Sequence, residues 1–209
     1  MTILWDWNGT LLSDVELALA CDNAALADFG YPPLSLSEYL TDFDFPVEQF
    51  YLTRGVKRED IPLIGARFNE NYDRAFPGTP LRRDALETVH RLEKAGARQA
   101  ILSATHQTRL DGQLKQYPLL VPCMARIQGI RTDMATSKIS AAHELMSFLS
   151  AEPAATCLIG DSLHDLETAH ALHCRCLLIS GGHQSLEKLQ RSGAHVLSSL
   201  TEAADILLN

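Results

Sequence analysis

Ile3-Leu4-Trp5-Asp6-Trp7-Asn8-Gly9-Thr10 is an apolar strand that delivers a carboxylate into a Gly-Thr turn. A carboxylate at such a junction stands at the rim of a sheet, where α/β proteins bind their ligands. The chemistry is therefore expected at Asp6.

Outward from this strand the chain divides into two patterns. From residue 13 to about 77 it reads as helices only. Ser13-Asp14-Val15-Glu16 has the form of a capping box before an Ala/Leu-rich helix that runs to Phe29 and stops at Gly30. Ser35-Leu36-Ser37-Glu38 is a second such box, and Pro46 opens a helix that runs to about Arg54. Ile64, Phe68 and Tyr72 recur every four residues, as one face of a helix from about Asp60 to Arg74 requires. After Pro77-Gly78-Thr79-Pro80 strands and helices alternate. Strands are predicted at 99–103, 125–129, 156–159, 175–179 and 195–197, with helices between them except before the last, and a final helix from Glu202. The helix beginning near Ile139 carries Ile139, Ala142, His143, Met146 and Leu149 on its apolar face. Alternation of this kind predicts a parallel sheet covered by helices on both sides.

Composition limits the function classes. The 209 residues are 46% hydrophobic and 21% charged, ordinary for a globular chain with a substantial core. A formal net charge of -8 speaks against a nucleic-acid or anionic-membrane partner. A phosphorylated small molecule would need local help from a metal ion or a few cations. Five cysteines, without a metal-clip spacing, read as reduced thiols of a cytoplasmic protein. Asp6 and Asn8 interrupt the N-terminal apolar run at once, so no signal sequence is expected, and no apolar stretch reaches the roughly 20 residues of a membrane span.

Asp6-Trp7-Asn8-Gly9-Thr10-Leu11-Leu12 resembles the first motif of the haloacid dehalogenase (HAD) superfamily, Asp-x-Asp-Gly-Thr-Leu. Three further stretches follow in the family's order: Ile101-Leu102-Ser103, Lys138, and Gly160-Asp161-Ser162-Leu163-His164-Asp165. The resemblance implies a Rossmann-like three-layer α/β core, residues 1–12 and 78–209, with a parallel sheet in the order 5-4-1-2-3. Residues 13–77 would form a small all-helical cap. It further implies a Mg²⁺-dependent phosphatase, similar to phosphoglycolate phosphatases, acting on a small phosphorylated metabolite as a monomer or homodimer.

In that family the first Asp forms an aspartyl-phosphate, so Asp6 is expected as nucleophile. Such covalent catalysis divides one difficult displacement into two easier ones. The metal ligands would be Asp6, the backbone carbonyl of Asn8, Asp161 and Asp165, oxygen donors that suit Mg²⁺. Gly9, Thr10, Ser103, Ala104 and Lys138 would bind the phosphoryl group, with Ser103 giving a hydroxyl and Lys138 a charge.

One position departs from the motif. Asn8 stands where family phosphatases carry the Asp that protonates the leaving oxygen, and an amide cannot do this at neutral pH. Loss of such a group costs about 10²- to 10⁴-fold in rate. Four readings follow. Asn8 orients water in a slow phosphatase, or His106 or His164 supplies the proton; alternatively the scaffold binds phosphate ligands without turnover, or it cleaves phosphonates. The last requires a cap lysine, and Lys57 is the one available. Asp44, Tyr51, Arg54 and Arg67 are the polar candidates for substrate contact in the cap, and Gly181-Gly182-His183 reads as a turn.

Overall fold

The computed structural model describes residues 1–131 and 138–209. Strand β1 (Thr2–Trp5) is buried along its whole length and pairs in parallel with β2 (Arg98–His106) on one side and β4 (Thr156–Gly160) on the other. With β3 (Met124–Ile130), β5 (Arg175–Ile179) and β6 (Val196–Leu197) the sheet order is β3-β2-β1-β4-β5-β6. This is the expected five-strand order, extended at the edge by β6.

Successive side chains of β1 enter opposite faces, which is why the strand is apolar throughout. Ile3 and Trp5 join one core with α5 (Ala85–Lys94), α6 (Gln107–Leu114) and α10 (Leu200–Leu208). Leu4 faces the other core, built with α7 (Ile139–Leu149) and α8 (Leu163–Ala171). On α7 the buried stripe is Ala141, Ala142, Leu145, Met146 and Leu149; His143 is exposed and leaves the expected apolar face. A further helix, α9 (Leu186–Arg191), lies in a segment that carried no helix expectation.

Between β1 and α5 the chain forms four helices: α1 (Val15–Asp28), α2 (Leu36–Asp42), α3 (Val47–Thr53) and α4 (Ile61–Ala75). They share a hydrophobic cluster of their own, including Ala25, Leu34, Tyr39, Phe50, Val56 and Ile64. The Ser35/Glu38 capping box forms as expected, with the Ser35 N–H donating to Glu38 at 2.8 Å and the Glu38 N–H to Ser35 Oγ at 3.2 Å. The one expected at Ser13/Glu16 does not. Asp14 is the N-cap residue of α1, without a side-chain cap, and its carboxylate turns inward instead. No helix among the described residues is long and apolar enough to cross a membrane.

Candidate active site

The carboxyl ends of β1, β4 and β5 lie side by side, and the turns that leave them build the site. Asp6 follows β1 directly and its N–H donates to Ile159 O at 2.8 Å, fixing it beside β4. Asp161 follows β4, and α8 begins two residues later. Gly9 makes this approach feasible. Its φ is +73°, and a Cβ there would lie 2.3 Å from Asp161 Oδ2, so no larger residue fits the turn. Arg82 pins the same turn, donating to Gly9 O at 3.0 Å and Ser180 O at 2.8 Å.

Lys138, at the start of α7, is buried and donates to Asp6 Oδ1 and Asp165 Oδ1, both at 2.5 Å. Burial would lower its pKa, but the two carboxylates override that and raise it. Asp165 is held low by Lys138 against its burial. It also accepts from Ser162 N and Oγ at 3.0 and 2.6 Å, so it supports the helix start and the site together. Asp6 is raised well above the ordinary carboxylate range: burial and the charges of Asp165 and Asp161 outweigh Lys138. Its side chain keeps 11% exposure against 1% for that of Asp165, so Asp6 is the more accessible of Lys138's two carboxylate partners.

One carboxylate oxygen from each of Asp6, Asp161 and Asp165 lies within 4.8 Å of the others. Three buried carboxylates around one lysine leave negative charge to be balanced, and an all-oxygen donor set suits a hard divalent cation. These residues fit a metal ion.

Thr10 is fully buried and bridges the carboxylates, its hydroxyl lying 3.0 Å from Asp161 Oδ1 and 3.2 Å from Asp6 Oδ2. It braces the acids rather than standing open to a substrate. Ser103 is also buried, and its Oγ accepts from Thr105 N at 3.0 Å. Beyond it on β2, Ala104, Thr105 and His106 form the cavity wall.

The Asn8 side chain is saturated. Its amide donates to Asp14 Oδ2 at 2.8 Å and Tyr72 Oη at 3.1 Å, and its carbonyl accepts from Thr105 Oγ1 at 2.8 Å. Asp14 in turn accepts from Gly9 N at 2.7 Å and Tyr72 Oη at 2.6 Å. His183 Nε2 completes the cluster at 3.2 Å from Asp14 Oδ1. Burial alone would push Asp14 up; His183 and these donors bring it below the ordinary range. Burial would likewise lower His183, but Asp14 and Asp161 raise it to about 9. The ring is then an imidazolium that donates from both nitrogens, to Asp14 and to Tyr39 Oη, 2.9 Å from Nδ1.

His183 overturns the reading of Gly181-Gly182-His183 as a mere turn. Its backbone N–H donates to Asp161 Oδ2 at 2.6 Å, and a Cβ at Gly182 would collide with the same carboxylate. Asp14, Tyr39, Arg82 and His183 were all missed as site residues. The one available signal was the Gly-Gly pair beyond β5, at the same sheet edge as Asp6.

Over Asp6 lies a cavity of about 190 Å³ between the rim and the α1–α4 helices. Of the cap candidates only Tyr51 lines it. Arg54 pairs with Asp42 and Glu38, Arg67 with Asp28 and Glu70, and Asp44 with Lys188. Lys57 is exposed and outside the cavity, which removes the lysine that phosphonate cleavage needs. His164 is not an exposed loop residue: it is buried, stacks on Phe45 at 4.5 Å between centroids, and accepts from Lys138 N at 3.2 Å. Burial and Lys138 lower its pKa to about 4. His106, half-buried, lines the cavity, with Nδ1 accepting from Thr108 N at 3.3 Å.

Residues 3–179 match the family of haloacid dehalogenase-like hydrolases, and the chain belongs to it. A phosphoglycolate phosphatase of Synechococcus elongatus is 20% identical over 195 residues, 90% of this chain and 87% of that protein. The fold superposes on a predicted phosphatase from Clostridium acetobutylicum with a TM-score of 0.86 at 18% identity, over 99% of this chain and 97% of the other. It also matches CbbY from Rhodobacter sphaeroides, determined in complex with phosphate, with a TM-score of 0.74 at 21% identity over 96% and 95% of the two chains.

Proposed function

We propose that this hydrolase is a Mg²⁺-dependent phosphatase of small phosphorylated metabolites, and that residues 13–77 act as the cap over its site. The carrying observation is that Asp6 lines the cavity while Lys138 holds one of its oxygens at 2.5 Å. In this reading an Asp6 carboxylate oxygen attacks phosphorus, the P–O bond to the alcohol breaks, and water then cleaves the aspartyl-phosphate. Lys138 offsets the charge of the phosphoryl group and orients Asp6, so that positioning and electrostatics supply most of the catalysis. Asp6, Asp161, Asp165 and the Asn8 backbone carbonyl would hold the Mg²⁺, which would supply further charge neutralisation. Thr10 and Gly9 keep the acids in register; Ser103 is buried behind the cavity wall with its hydroxyl on Thr105, so Ala104, which does line the cavity, would lie beside the phosphoryl group.

Asn8 is a strut in this account, because all of its hydrogen-bonding groups face protein partners. His164, neutral and committed to Lys138 N, is a poor proton source. His183 also lines the cavity, but its ring nitrogens are committed to Asp14 and Tyr39, which leaves His106 as the better candidate to protonate the leaving oxygen.

Release of p-nitrophenol from p-nitrophenyl phosphate tests the proposal, since this leaving group scarcely needs protonation. Turnover should require Mg²⁺ and fall on the order of 10⁴-fold or more in Asp6→Asn, as expected for loss of a nucleophile. Saturable phosphate binding with no turnover would instead make the chain a phosphate-ligand-binding protein on this scaffold.

A further inference from the structure

The cavity wall opposite Asp6 carries a feature the phosphatase reading does not use. Asp22 on α1 is 3% exposed and lines the cavity; Oδ1 accepts from Tyr51 Oη at 2.5 Å, while Oδ2 is buried with no partner among the described residues. A buried carboxylate oxygen without a donor costs free energy, and a cation held in the cavity would offset its charge. The guanidinium whose charge reaches it, Arg54, is committed to Asp42 at 2.6 Å. Burial accordingly lifts the Asp22 carboxyl to about 6, against smaller lowering by Tyr51 and Arg54.

Around this carboxylate the wall is aromatic. The Tyr51 and Phe50 ring centroids lie 5.3 Å apart, Phe50 and Phe43 lie 5.5 Å apart, and all three line the cavity. Ring faces attract cations, the more strongly when both are withdrawn from water. A neutral hydroxyl would satisfy Oδ2 but leave its charge buried. A ligand carboxylate at this wall would meet Asp22, while the cations that line the cavity are committed: Arg109 to Asp73 at 2.7 Å, His183 to Asp14, and Lys138 to Asp6 and Asp165.

We propose that the cavity selects phosphate monoesters whose alcohol bears an organic ammonium group, with Asp22 as counter-ion and the Phe43, Phe50 and Tyr51 rings as its surround. The proposal rests on the phosphatase reading for turnover but not for binding, and the two can fail separately.

The test uses choline phosphate, its neutral isostere 3,3-dimethylbutyl phosphate, and 2-phosphoglycolate, with p-nitrophenyl phosphate reporting whether any ester is hydrolysed. The unaltered protein should show a kcat/KM for choline phosphate about tenfold above that for the isostere, mostly through KM, and above that for phosphoglycolate. In Asp22→Asn the ratio of the two isosteres should fall several-fold, the rings alone keeping the remainder; a ratio within one variant is unaffected by partial loss of folded protein. Calorimetric Kd values for the same pair on Asp6→Asn should show the same preference, whether or not the protein turns over. Equal kcat/KM and equal Kd for the isosteres, a preference for phosphoglycolate, or an unchanged ratio in Asp22→Asn would overturn the proposal. Failure of p-nitrophenyl phosphate hydrolysis alone would overturn only the phosphatase reading, and the Kd comparison would then decide.

Discussion

The two walls of the cavity are built on opposite principles. At the sheet rim, charges are dense and nearly all committed: Lys138 to Asp6 and Asp165, Thr10 to Asp161, His183 to Asp14, and Asn8 to three partners. At the helical wall, rings predominate and the Asp22 carboxylate keeps an oxygen without a partner among the described residues. The rim is thus arranged before any ligand arrives, as chemistry on a phosphoryl group requires, while the opposite wall leaves an interaction for the ligand to complete. Chemistry and selection are separated by the width of one small cavity.

If the rim is preorganised by compensated charge, its largest weakness is Lys138. Lys138→Met should abolish phosphatase activity and destabilise the fold by about 3–5 kcal/mol, because Asp6 and Asp165 lose their buried cation. Urea denaturation measures this, and added Mg²⁺ should recover part of the loss. An unchanged midpoint would mean that the rim does not depend on that charge.

The Asp14–His183 pair gives a pH signature. His183 is raised from 6.5 to about 9, so its stabilising contribution is complete below pH 6.5 and fades as pH rises through about 9. The unaltered protein should exceed His183→Gln by up to about 3 kcal/mol near pH 6, with the margin shrinking by pH 10. A margin independent of pH would show that the imidazole is not charged in the fold.

A smaller effect distinguishes a strut at position 8 from a missing acid. Asn8→Asp would set a second carboxylate against Asp14 where an amide now donates at 2.8 Å. The substitution alone should destabilise by about 2 kcal/mol and give no gain in turnover of esters with poor leaving groups. Asn8→Asp combined with Asp14→Asn should recover the stability. A rate gain in the single variant would place Asn8 among the reacting groups.

The same contrast explains what was legible in the sequence. Asp6, Lys138, Asp161 and Asp165 sit at strand ends or helix starts, where the local pattern fixes direction, and the structure brings all four together. The α/β core was readable from the alternation of strands and helices, and its strand order from the resemblance to the family. Asp14 was misread because Ser13-Asp14-Val15-Glu16 satisfies a local helix-start pattern; the pull of Gly9, Asn8 and Tyr72 overrides it. His183 and Asp22 acquire their significance from residues 144 and 29 positions away, Tyr39 and Tyr51, and no local spacing encodes such pairings. Thr10 was legible as a site residue but not as a brace, since its role depends on both acids at once.

The most direct measurement of the central claim is where the phosphoryl group goes. The protein, mixed with p-nitrophenyl phosphate and Mg²⁺, would be quenched during turnover, reduced with borohydride and digested, so that a phosphorylated Asp becomes homoserine. The account predicts homoserine at position 6 and nowhere else, absent without substrate. Ester hydrolysis with Asp6 unmodified under the same quench, and homoserine at Asp14, Asp161 or Asp165 instead, would contradict it.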